Sequence, residues 1–96
     1  MEKLTMDEQD VTNAICLYVA DEKHIEPRHV EVELAYDDQL GFSAEAYYER
    51  GKMSLSHHQM IQAIRFWIDE TLDEDPSSAA IRLELDDVQG IIANIR

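Results

Sequence analysis

Shifted by 49 residues against itself, the 96-residue chain superposes without a gap: Asp37 falls on Asp86, Asp38 on Asp87, Gly41 on Gly90, Pro27 on Pro76, Leu34 on Leu83 and Ala44 on Ala93. Identities are sparse, yet apolar character returns position by position, Val11 with Met60, Leu17 with Phe66, Tyr18 with Trp67, Val32 with Ile81 and Phe42 with Ile91. A period of this length marks a supersecondary unit used more than once. One domain spanning 1–96 is therefore expected, built from two copies, residues 5–47 and 54–96, with "YERGKM" (48–53) joining them. The fold is restricted to arrangements that use one unit twice.

Each copy opens on a helical pattern. Thr5-Met6-Asp7-Glu8 has the form of a capping box, and Val11, Ala14, Ile15, Tyr18 and Val19 follow at helical spacing as one apolar stripe. In the second copy Ser54 or Ser56 caps the start, the latter with Gln59, and Met60, Ala63, Ile64, Trp67 and Ile68 form the stripe. Pro27 and Pro76 should close the helices, because proline restricts the residue before it and lacks an amide donor.

Beyond each proline the period changes to two. Val30, Val32, Leu34 and Tyr36 point to one side, and His29, Glu31, Glu33 and Ala35 to the other. In "DDQLG" and "DDVQG" the aspartate accepts turn amides and the glycine takes the positive-φ position, so each segment predicts a hairpin. The return strands put Phe42, Ala44, Ala46 and Tyr48, and then Ile91, Ala93 and Ile95, inward. The order α-β-β-α-β-β predicts an α+β fold: a four-stranded antiparallel sheet with two helices on one face. A pseudo-twofold perpendicular to that sheet sends the hairpin tips to opposite ends, so Asp37 and Asp38 should lie far from Asp86 and Asp87.

Charge narrows the function. Twenty-one acidic against eight basic residues give a net charge of −13, which repels phosphate backbones and anionic membranes. Direct nucleic-acid binding and membrane attachment are not expected. The N-terminus "MEKLTMDEQD" lacks a signal pattern, no apolar run approaches a membrane span, and the single cysteine cannot form an internal disulfide. A cytoplasmic protein is expected.

Three sets of residues carry chemistry that could matter. The paired aspartates suit turns better than a cation, which needs several converging oxygens. His57 and His58 are adjacent, so on a helix they diverge by about 100° and cannot clamp one ion. Cys16 sits mid-helix with no base or activating motif around it, and its repeat partner is Arg65. No cofactor, metal site or catalytic residue is expected. The alternative is a metal-binding protein or small enzyme using His57 and His58 or Cys16.

Two surfaces remain. The outward face of the sheet gathers Glu31, Glu33, Glu45, Tyr47, Glu49 and Glu84, a candidate surface for a basic protein partner. Leu17, Ile61, Phe66 and Leu72 lie on the flanks of the helical stripes and form a candidate homodimer surface. Together "EQDVTNAICLY", "VEVELAYDDQLGFSAEAY" and "IRLELDDVQGIIANI" resemble the YxcD-like family of small, acidic, uncharacterised proteins from Bacillus-type bacteria, over almost the whole chain. The resemblance implies a cytoplasmic bacterial protein and assigns no activity. The sequence points to a small non-enzymatic interaction or regulatory protein.

Overall fold

Alternating residues just ahead of each helix already behave as strands. In the computed structural model, which describes residues 4–72, 75 and 79–96, Leu4–Met6 (β1) and Gly51–Leu55 (β4) extend immediately before the helices. Helix α1 covers Glu8–Lys23, β2 Glu31–Asp37 and β3 Gly41–Tyr48; helix α2 covers His57–Trp67, β5 Ile81–Asp86 and β6 Gly90–Ile95. Helix α2 runs on as a π-helical turn, Ile68–Leu72, so the two helical segments are offset by the same 49 residues.

The strands form two separate three-stranded sheets, in the orders β1-β6-β5 and β2-β3-β4. This replaces the expected single four-stranded sheet with both helices on one face. Two short strands make the difference. Strand β1 pairs with β6, Met6 opposite Ala93, and β4 pairs with β3, Leu55 opposite Ala44. Each short strand thus lies on the hairpin of the other half, and the return strands β3 and β6 become central. Strands β2 and β5 are left as edges carrying Glu31 and Glu33, and Arg82 and Glu84, at alternate positions, the kind of residue that keeps sheet edges from pairing. Helix α1 packs on α2, and each helix touches strands of both sheets.

The capping box of α1 lies two residues further on than Thr5 to Glu8. Asp7 is the cap, accepting from the Asp10 amide at 2.8 Å, while the Asp10 carboxylate accepts from the Asp7 amide at 3.3 Å. Thr5 is spent in β1, where the chain is still extended. Ser56 and Gln59 form the box of α2 as expected. Helix α1 stops at His24, which turns left-handed at φ 58°, and Pro27 opens a 3-10 turn, Pro27–His29. The reading of Pro76 as a helix terminator lies outside the described residues.

Both hairpins form at the Asp-Asp-x-x-Gly segments, with Gly41 and Gly90 each at φ 82°. Asp37 Oδ1 accepts the amides of Gln39 and Leu40, at 2.8 and 2.9 Å, and Asp86 Oδ1 those of Val88 and Gln89, both at 2.8 Å. The hairpins do not point to opposite ends, because Asp38 and Asp86 line one groove of about 580 Å³. Division into two sheets brings them together. The core sits between the helices and the inner sheet faces. Met6, Ile15, Leu55, Met60, Ile64, Ile68 and Ile95 are its largest fully buried side chains.

Candidate functional site

Antiparallel register builds the acidic face. Strands β2 and β3 place Glu33 directly opposite Glu45 and Glu31 opposite Tyr47, so these four side chains share the outer surface of one sheet. Like charges directly opposite each other destabilise a sheet. Here Tyr47 donates its hydroxyl to Glu45 Oε2 at 2.5 Å, and Lys52 Nζ lies 3.7 Å from Glu45 Oε1. The tyrosine hydrogen bond and then the lysine charge hold the Glu45 carboxyl below its usual range. The same hydrogen bond, with lost hydration and the charges of Glu33 and Glu45, pushes the Tyr47 phenol up to about 12. Glu45 therefore keeps its negative charge.

The other two acidic candidates lie apart from this set. Glu49 is exposed in the turn between β3 and β4. Glu84 is on β5, in the other sheet, where it accepts from the Asn94 amide and pairs with Arg82 at 3.7 Å. Ile92, which pairs with Glu84 in the β5–β6 hairpin, is buried at 7% exposure.

A groove of about 880 Å³ runs beside the acidic face, between α1 and β2. Val30, Glu31, Val32 and Glu33 all line it. Successive strand residues point to opposite faces, so a groove lined by four in a row follows the strand's edge. Thr12, Cys16 and Leu17 of α1 form the opposite wall, with Trp67 from α2. Cys16 donates its thiol to the Val30 carbonyl at 3.5 Å. Burial pushes that thiol's pKa up, the reverse of what a nucleophile requires.

The histidines are dispersed. The His57 ring packs edge-on against Phe42, 5.8 Å between centroids, and the neighbouring His58 is exposed. His24 caps α1, and His29 lies in the 3-10 turn. Among the described residues no group of three or more His, Cys, Asp or Glu side chains is placed to hold a metal.

Of the apolar candidates, Leu17 and Phe66 come together along a shallow groove of about 410 Å³, with Tyr18 edge-on to Phe66 at 6.1 Å. Ile61 is half-buried against the core, and Leu72 is 37% exposed at the end of the π-helical turn. The most exposed large apolar residues, Leu40 and Val88, occupy the hairpin turns, and Tyr36 and Leu85 lie close behind them. The only hint in the sequence was one aliphatic residue inside each otherwise polar turn.

Comparison with known proteins places the chain among sequences without an assigned activity. The family described as "Protein of unknown function (DUF2653)" matches residues 1–88. The chain is 30% identical over 92 residues to the "Uncharacterized protein YxcD" of Bacillus subtilis (strain 168), covering 95% of this chain and 90% of that protein. No solved structure matches. With nearly its full length aligned to both, the chain belongs to DUF2653, the YxcD-like family of proteins of unknown function.

Proposed function

We propose that this protein is a small, non-enzymatic interaction module of the cytoplasm that binds a basic protein partner through the outer face of β2 and β3. The observation that carries this reading is the register placing Glu33 against Glu45 and Glu31 against Tyr47. A solvated surface gains nothing from opposed carboxylates, whereas a cationic partner would neutralise them and lower their mutual repulsion. Tyr47 adds flat apolar area with a polar end, a side chain enriched at interfaces. The raised pKa of Cys16 and the scatter of the histidines weigh against the enzyme or metal-binding alternative.

Affinity capture from a native host, comparing wild type with Glu31→Lys/Glu33→Lys/Glu45→Lys, tests the reading. A basic protein retained by wild type and lost by the variant, with binding that weakens as salt rises, is the expected result. Equal recovery on both baits would mark the face as merely solvated. A second reading is a homodimer through Leu17 and Phe66, favoured by their meeting along one shallow groove.

A further inference from the structure

We propose that the partner binds as an added β-strand: an extended segment alternating basic and small apolar residues pairs with the open edge of β2. This inference rests on the acidic-face reading and specifies how that face is used. Among the described residues, β2 is hydrogen-bonded to β3 alone, so its other edge offers unpaired backbone donors and acceptors. The groove runs along that edge, giving an incoming strand room between β2 and α1. Strand addition of this kind takes affinity from main-chain hydrogen bonds and specificity from alternate side chains.

Chemistry on the two sides of the edge differs. Outward residues of the added strand would stand beside Glu31 and Glu33, two positions apart, which selects Lys or Arg at alternate positions. Inward residues would enter the groove over Cys16, Leu17 and Trp67, which selects small apolar side chains. A second β2 is a poor occupant, because it would set glutamate beside glutamate in a chain of net charge −13.

The equivalent positions of the other half carry longer side chains. Position 16 corresponds to 65, where Arg65 crosses to the Ala79 carbonyl at 3.1 Å; position 12 corresponds to Ile61. The short side chains of Thr12 and Cys16 leave open the space that arginine and isoleucine occupy in the other half.

A synthetic heptapeptide of alternating valine and lysine is the probe, titrated against the full chain by the emission of Trp67, the only tryptophan and part of the groove wall. Two further peptides carry N-methyl groups on one or the other alternating set of amides. Saturable binding is expected, at least tenfold weaker for one N-methylated peptide, since only one set of amides can face β2. Cys16→Arg, copying the other half, should lose at least tenfold in affinity with its thermal transition retained, and Thr12→Ile provides the same test should the arginine variant not fold. Absence of binding, or equal binding by all three peptides, overturns strand addition. In the second case the acidic-face reading survives if Glu31→Lys/Glu33→Lys abolishes binding, and fails if that variant binds as wild type does. Loss of self-association in place of peptide binding on Cys16→Arg would assign the edge to a second copy and overturn the proposal.

Discussion

Cys16 and Arg65, 49 residues apart, make equivalent hydrogen bonds: the thiol donates to the Val30 carbonyl at 3.5 Å and the guanidinium to the Ala79 carbonyl at 3.1 Å. Val30 and Ala79 are themselves 49 apart, so the 49-residue correspondence extends to this polar contact. The helix starts behave alike. Glu8, first residue of α1, accepts the Ile91 amide at 3.0 Å in the β5–β6 hairpin, and His57, first residue of α2, packs on Phe42 in the β2–β3 hairpin. Each half is held against the other at its helix start as well as through its first strand.

The two turn glycines should therefore tolerate substitution unequally. Both are at φ 82°, where a Cβ is strained by about 1 kcal/mol or more. At Gly90 a Cβ would in addition collide with the Glu8 carboxylate, whereas at Gly41 the nearest atom is His57 Nδ1 at 3.8 Å. Urea unfolding of Gly90→Ala should show the larger loss, with Glu8→Ala recovering part of it. Equal losses would mean that the Glu8 contact plays no part.

Interlocking of the halves predicts that neither folds alone. A chain cut between Glu49 and Arg50 leaves the first half without β4 and leaves β1 without its partner β6. Separately purified halves should show no cooperative thermal transition by circular dichroism, and mixing them should restore one. A cooperative transition in residues 1–49 alone would contradict the exchange of strands. Met6→Ala in the intact chain should cost about 2–5 kcal/mol, the range for truncating a fully buried side chain, although it sits only two residues from the helix start.

Acid stability follows from the turns. Asp37 and Asp86 each accept two backbone amides, which hold their carboxyl groups below the ordinary 3.8. A depressed folded pKa contributes stability that is complete above the unfolded value and lost as pH falls through the folded one. Between about pH 4 and 2 the melting temperature should fall more steeply for wild type than for Asp37→Asn/Asp86→Asn, while at pH 7 the double variant should melt lower. Parallel curves would exclude the turn aspartates as the source.

Tyr47 should ionise late among the four tyrosines, near the value of about 12 to which Glu45 and its surroundings raise it. Alkaline titration followed by phenolate absorbance should show a late step that Glu45→Gln shifts towards the ordinary 10.0 and Tyr47→Phe removes. The phenol is raised, so its contribution to folding is present below about pH 10 and disappears as pH rises towards 12. A late step unmoved by Glu45→Gln would reject the hydrogen bond as its cause.

Self-association through Leu17 and Phe66 has a distinct signature. Two chains of charge −13 repel within about a Debye length, roughly 8 Å at physiological salt, so a dimer should tighten as salt is added. Sedimentation equilibrium should show this and show its loss in Phe66→Glu. A monomer at every salt and concentration would reject the homodimer.

The helices and hairpins were legible in the residues because each depends on partners a few positions away. The apolar stripe of α1 needs only a spacing of three or four. The Asp37 turn is completed by Gln39 and Leu40. Pairing of β1 with β6 joins Leu4 to Ile95 across nearly the whole chain, and a strand of three residues carries too little periodicity to announce itself. That long-range pairing, together with β4 on β3, turned a single sheet into two and brought the hairpins together. The acidic pairs Glu33–Glu45 and Glu31–Tyr47 could be placed from hairpin register alone. The groove beside them could not, because it exists only where α1 settles against the edge of β2 and presents Thr12 and Cys16 where the other half presents Ile61 and Arg65.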